Sequence, residues 1–214
     1  MYDLHTHTTF SDGVLIPAEL IRRAQDIGYK GIAFTDHADF SNFEIIIENQ
    51  LKLKEKYSNT NFKILVGIEI THVIPEKIDE LAKLAKEKGA DIVVVHGETI
   101  VEPVLSGTNR AAIESKFVDI LAHPGIITKD EVELAVKNNK FLEITTRKGH
   151  SLTNGCVLAL GKKLGAQFLI NNDAHAPEDL VSYEMAKKIV IGAGGNIEDF
   201  NKMVENAEKF FFKN

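Results

Sequence analysis

Ile92-Val93-Val94-Val95-His96-Gly97 is the stretch on which the fold turns. Four β-branched residues in a row have the size and composition of a strand covered on both faces. A histidine and a glycine end the run, so an imidazole stands where the strand empties into a loop. Ile120-Leu121-Ala122-His123-Pro124-Gly125 repeats that plan further along the chain. Working outward, strand-sized runs are expected at 2–5, 31–35, 63–70, 92–96, 118–123, 141–145 and 167–171. Amphipathic segments lie between them. Pro17 suits a first helical turn, Leu20, Ile21, Ala24 and Ile27 share a face, and Gly28 ends the segment. Pro75 opens a second helix, with Ile78, Leu81, Ala82, Leu84 and Ala85 inward and Gly89 closing it. Further helices are expected at 42–57, 109–116, 129–138, 153–164, 177–191 and 196–212. Seven strand–helix alternations predict an α/β fold with right-handed crossovers, as one domain over 1–214. A closed barrel and an open doubly wound sheet both fit this pattern.

Composition narrows the functional classes. With 44% hydrophobic and 26% charged residues, the chain reads as an ordinary soluble protein. No apolar run approaches the roughly 20 residues that span a bilayer. Asp3, His5 and His7 interrupt the opening residues, which do not read as a signal peptide. The single cysteine, Cys156, leaves no internal disulfide and points to a cytoplasmic protein; it is expected to be a small buried hydrophobe. A net charge of −6 argues against a broad basic face that grips nucleic acid. Divalent cations bound among a few carboxylates would still make one pocket positive.

Placement of the polar residues is the informative feature. His5, His37, His96, His123 and His175 each fall at or just beyond the C-terminal end of a predicted strand, and so do Glu69 and Asp173. His7 and Asp12 follow His5 in the first loop. Parallel strands of a barrel end on one face, so these residues would converge. Asp3-Leu4-His5-Thr6-His7 puts two imidazoles on one side of a strand, a spacing that can chelate one metal. Asp12, before Gly13, has a plainer reading as a turn residue. Glu69 sits in the apolar run Gly67-Ile68-Glu69-Ile70, where an unpaired carboxylate costs several kcal/mol. Asn171-Asn172-Asp173-Ala174-His175 adds an acid and an imidazole two residues apart. Singly, each histidine reads as a satisfied structural residue. Jointly, nine coordinating side chains at strand ends read as a metal cluster, and N/O donors without thiolate suit Zn, Mn or Fe.

These motifs, D-L-H-T-H-T with S-D-G, T-D-H, G-I-E, V-V-V-H, A-H-P-G and N-D-A-H, occur in an order that resembles the polymerase-and-histidinol-phosphatase (PHP) family over nearly the whole chain. The resemblance implies a distorted seven-stranded (β/α) TIM-like barrel. It implies a first metal on His5, His7, Glu69 and Asp173, a second on Glu69, His96 and His123, and a third on Asp12, His37 and His175. Some members carry histidine at the Asp12 position. The expected activity is metal-dependent hydrolysis of a phosphate ester by metal-activated hydroxide, with Glu69, Asp173 and His175 as catalytic residues and two or three divalent ions as cofactors.

Three carboxylates, Asp12, Glu69 and Asp173, set against three divalent ions leave about three positive charges, which suits a phosphomonoester dianion; two ions leave about one. Arg147, Lys148, Arg110 and His150 are the expected substrate contacts, since arginine offers a fork for phosphate. Asp3 and Asp36 are expected to orient ligand imidazoles. His72 lies three residues past Glu69 and has no assigned role. The substrate expected first is a small phosphorylated molecule, histidinol phosphate or a nucleotide phosphate. An exonuclease or 3′-end phosphoesterase is the alternative. It is disfavoured by the acidic balance and the lack of interleaved basic and aromatic residues. A non-catalytic scaffold like the barrel subunit of archaeal-type ribonuclease P would show eroded ligands and a basic surface. Phe210-Phe211-Phe212 is expected to complete the outer shell or to meet a second subunit, which leaves the oligomeric state open.

Overall fold

The computed structural model describes residues 1–212. Eight parallel strands form one sheet: β1 (Tyr2–Thr6), β2 (Gly31–Phe34), β3 (His37–Ala38), β4 (Lys63–Ile70), β5 (Ile92–His96), β6 (Ile120–Ala122), β7 (Phe141–Thr145) and β8 (Gln167–Asn171). The strand order is β1-β2-β4-β5-β6-β7-β8, and the two-residue β3 continues the line of β2 by pairing His37 with Glu69 of β4. The His7 amide donates to the Ala174 carbonyl at 2.8 Å, bringing the last edge back to the first. A nearly closed parallel barrel results, which decides between the two sheet architectures.

Helices cover the outside: α1 (Pro17–Asp26), α2 (Phe43–Tyr57), α3 (Pro75–Lys88), α4 (Thr108–Glu114), α5 (Lys129–Lys137), α6 (Asn154–Leu164), α7 (Tyr183–Gly192) and α8 (Ile197–Phe211). Their ends follow local chemistry. Pro17 and Pro75 occupy first turns, Gly89 ends α3 with φ 110°, and Thr128 with Glu131 forms a reciprocal cap on α5. Buried Val93, Val95, Leu121, Leu142, Ile144 and Ile170 pack against the helices. Leu4, Ala33, Leu65, Val94, Ile120 and Leu169 fill the barrel interior. The α8 helix seals that interior. Phe210 is buried and meets Phe141 edge-on at 5.2 Å, Phe211 stacks on Tyr2 at 4.7 Å, and Phe212 is exposed. Among the described residues no helix is long and apolar enough to cross a membrane.

Three expectations need correction. The segment 177–191 is not one helix: a 3-10 turn at Pro177–Asp179 is followed by a break, and α7 starts only at Tyr183. The Asp179 carboxylate accepts from the His175 and Ala176 amides and from Arg147, pinning the first piece to the mouth, and Ser182 caps the second. The sixth strand is shorter than 118–123. Its histidine leaves the ladder with φ 23°, and the Asp119 side chain takes the Val93 amide. Cys156 is exposed, because α6 turns Val157, Leu158 and Gly161 inward instead.

Candidate metal centre

Every chemistry-bearing side chain singled out as a metal ligand lies at the C-terminal mouth of the barrel. Strand β1 ends in His5 and continues to His7, and β3 begins with His37 beside Glu69. Strand β5 ends on His96, and His123 and Asp173 follow β6 and β8 with φ of 23° and 53°. Neither residue type adopts positive φ without cost, about 1–3 kcal/mol, and such backbone clusters at functional sites. The strain turns both side chains inward over the sheet.

The groups interlock. Donor atoms of His5, His7 and Glu69 lie within 4.8 Å of one another, as do those of His5, His123 and Asp173. His7, Asp12, His37 and His175 form another such group, and His96, His123 and His150 a fourth. Glu69 is the hub. Its oxygens are 3.3 Å from His5 Nε2, 3.7 Å from His7 Nε2, 2.7 Å from His37 Nδ1 and 3.4 Å from His123 Nε2. Asp173 Oδ1 reaches His7 Nε2 at 3.2 Å and His175 Nδ1 at 3.4 Å. Asp12, at the rim and exposed, lies 3.2 Å from His175 Nε2 and 3.5 Å from His37 Nε2.

Whether these residues fit metal ions is tested by their unmet valences. His5 Nε2, both His7 nitrogens, His96 Nδ1, both His123 nitrogens, Glu69 Oε1 and Asp173 Oδ1 are buried without a hydrogen-bond partner among the described residues. Buried polar atoms are nearly always paired, and each orphan costs about 1–3 kcal/mol. So many in one place is hard to reconcile with a purely structural role. Divalent cations satisfy imidazole nitrogens and carboxylate oxygens together, so the residues fit the group.

The electrostatics agree. Burial opposes charge on His5, yet Glu143, Glu69 and Asp173 outweigh it and hold its pKa well above the usual value. The same contest, with Glu69 and Asp12 favouring charge, raises His37 to about 9. Burial, with His37 and His175 adding to it, pushes His7 well below the usual imidazole range. Burial also opposes ionisation of Glu69, but His5, His37 and His96 pull its pKa well down. The carboxylates thus favour positive charge at His5 and His37, while His7 is held neutral.

The partners that orient the ligands differ in part from expectation. Asp3 accepts from the His5 and Asn172 amides and from Asn172 Nδ2; Asp36 accepts from Thr8, Ser11 and Gln50. Both fix loop backbone, not imidazoles. His5 Nδ1 instead meets Glu143 Oε2 at 2.8 Å, His37 Nδ1 meets Thr71 Oγ1 at 2.7 Å, and His175 Nδ1 meets the Asp173 carbonyl at 3.0 Å. Glu143 was legible by the signal that marked Glu69, one acid in a buried apolar strand. Glu102, whose carboxylate approaches His96, His150 and His72, carried no such signal.

The expected substrate contacts scatter more widely. Arg147 is half-buried and salt-bridged to Asp179 at 2.5 Å, and Lys148 is exposed beside it. Arg110 is exposed on α4 and paired with Glu114 at 3.0 Å. His150 is buried against His123, with ring centroids 4.2 Å apart. His72, at φ 55°, lines a cleft of about 620 Å³ with Phe40, Thr71, Val73, Ile74 and Lys77.

Comparison with known proteins places this architecture. A family model described as the PHP domain matches residues 3–140. An uncharacterized protein of Methanocaldococcus jannaschii is 51% identical over 207 residues, covering 96% of this chain and 93% of its own length. A protein named "probable phosphatase" from Thermoanaerobacter sp. is 28% identical, covering 90% of this chain and 86% of itself. Two solved structures share the fold. Histidinol phosphate phosphatase of Lactococcus lactis, complexed with zinc, L-histidinol and phosphate, superposes with a TM-score of 0.65 at 18% identity, over 91% of this chain and 94% of that one. A chain of archaeal ribonuclease P with mature tRNA superposes with a TM-score of 0.71 at 19% identity, over 97% and 89%. On the family match and on the donor cluster at the barrel mouth, this chain belongs to the PHP domain family and is a metal-dependent phosphoesterase.

Proposed function

We propose that the chain hydrolyses a small phosphomonoester in the cytoplasm, with histidinol phosphate or a nucleotide phosphate as the first substrates to try. The reading rests above all on the buried donor atoms of His5, His7, Glu69, His96, His123 and Asp173, which find no hydrogen-bond partner among the described residues. Two or three ions of zinc, manganese or iron would be held by His5, His7, Asp12, His37, Glu69, His96, His123, Asp173 and His175. When bound, such ions lower the pKa of water and neutralise phosphate oxygens.

The chain's own residues supply the rest. Glu69, at the hub, holds neighbouring donor groups in one frame. His175 sits near the rim with Nδ1 fixed on the Asp173 carbonyl, so its Nε2 would pass a proton to a leaving alkoxide when two ions are bound and would ligate the third ion when three are, with Asp173 adjoining. Arg147 and Lys148 follow β7 at the mouth, and the Asp179 bridge ties Arg147 to the loop that bears His175. A phosphate there would meet a guanidinium already positioned. Arg110 would have to leave Glu114 to take part. The half-apolar cleft of Phe40, Val73 and Ile74, joined to the centre through Thr71, suits a compact organic group.

A nucleic-acid end is the second reading, since the same donor cluster would serve a terminal phosphate ester; the likeness to a ribonuclease P chain speaks for the shared fold alone. The test is a phosphate-release screen on chelator-stripped protein with zinc, manganese or iron restored, run on small monoesters and end-labelled oligonucleotides. Release from small esters that depends on added metal is the expected result. Release only from oligonucleotides selects the second reading, and no release from either rejects both.

A further inference from the structure

His150 and Glu102 lie outside the nine ligands, yet they close around one of the four groups. His150 Nδ1 is held by Thr99 Oγ1 at 2.8 Å, which leaves Nε2 directed at its neighbours. Its ring stacks on His123 at 4.2 Å and meets His96 edge-on at 5.8 Å, and donor atoms of the three lie within 4.8 Å of one another. All three imidazoles are buried. The Glu102 carboxylate spans the opening: Oε2 is 3.1 Å from His96 Nε2, and Oε1 is 3.3 Å from His150 Nε2. One carboxylate thus faces ring nitrogens of two of the three histidines.

Hydroxyl-anchored Nδ1 with free Nε2 is how a ligating histidine is held, since the second nitrogen fixes ring orientation. A stacked, buried substrate contact would need no such anchor and no acid across it. Building on the metallo-phosphoesterase reading, we propose that His96, His123, His150 and Glu102 together form a four-donor, nitrogen-rich site for the second ion. Three imidazoles and one carboxylate select zinc over manganese, which prefers oxygen-rich sets. His150, expected from the sequence to touch substrate, is a metal ligand in this account. Glu102 rides on the loop between β5 and α4.

The test uses the full-length, chelator-stripped protein. Cobalt(II) is titrated in while its visible absorption is followed, and zinc affinity is then measured by competition with a chromophoric chelator. In the unmodified chain one equivalent gives the intense bands of a four-coordinate ion. His150→Gln abolishes those bands and weakens that equivalent about 100-fold, and Glu102→Gln and Thr99→Val each weaken it about tenfold. Anomalous diffraction from zinc-soaked crystals of the unmodified protein covers the case of a misfolded variant. It places an ion about 2.0–2.1 Å from His150 Nε2. An ion on His96 and His123 with His150 unbonded overturns the proposal, as does full affinity in His150→Gln. Metal binding and phosphate release would survive either result, so the broader reading fails separately: only a protein that binds no ion rejects both.

Discussion

Glu143 takes the Nδ1 side of His5 and leaves Nε2 directed into the centre, whereas Thr71 shares the Nδ1 side of His37 with Glu69 and leaves Nε2 facing Asp12 and His175. Removing the acid while keeping its shape separates orientation from charge. Glu143→Gln is expected to lower metal affinity and phosphate release about 10–100-fold with little change in fold, checked by metal competition and circular dichroism. At this scale the sequence was informative wherever chemistry contradicted environment. Glu69 and the strand-end histidines stood out against apolar runs, and all nine converge. Asp3 and Asp36 do not orient imidazoles: an acid near a histidine in sequence does not reveal whether it accepts from ring or backbone, and here the backbone amides are closer. Glu102 sits in a loop of mixed polar residues, where no pattern separates a partner of three imidazoles from a solvated acid.

Elements carry the geometry through close backbone approach. Gly97 follows His96, and a Cβ there would meet the Ala122 carbonyl oxygen at 2.2 Å and Pro124 Cα at 2.8 Å. Its amide also donates to that carbonyl at 3.1 Å. Gly97→Ala must therefore push β5 and β6 apart at the level of His96 and His123. A loss of about 2–3 kcal/mol in chemical denaturation is expected, with weakened binding of the ion they share. Strand and helix existence was legible from the apolar runs and from Pro17, Pro75 and Gly89. The break at 180–182 was not, because it depends on Asp179 reaching across to Arg147 and the His175 loop, a contact between residues far apart in sequence. Cys156 failed similarly: only the docking of α6 tells which of its faces is inward.

For the whole molecule, the centre is a store of unmet valence that something must fill. Protons fill it partly. His37, raised to about 9, is charged in the folded chain and neutral in the unfolded one above about pH 6.5. A histidine so raised adds stability that is complete below its unfolded pKa and lost as pH climbs through its folded pKa. His7 and His150 are depressed, so their contributions change below about pH 6.5; Asp3, raised to about 7, loses its contribution as pH rises from about 4 through about 7, in the same direction as His37. Metal binding runs the other way, because protons compete for the same nitrogens. The melting temperature of chelator-stripped protein is therefore expected to fall between about pH 7 and 9, while the increment from added zinc grows. Parallel curves for the two forms would show that the histidines do not share one site with the metal.

The most direct measurement is the number of divalent ions retained per chain after the protein is loaded with zinc or manganese and dialysed free of excess, read by elemental analysis. Two or three equivalents, lost on chelation together with phosphate release, is the predicted result. Less than one equivalent from either metal would contradict the claim that the strand-end imidazoles and acids exist to hold them.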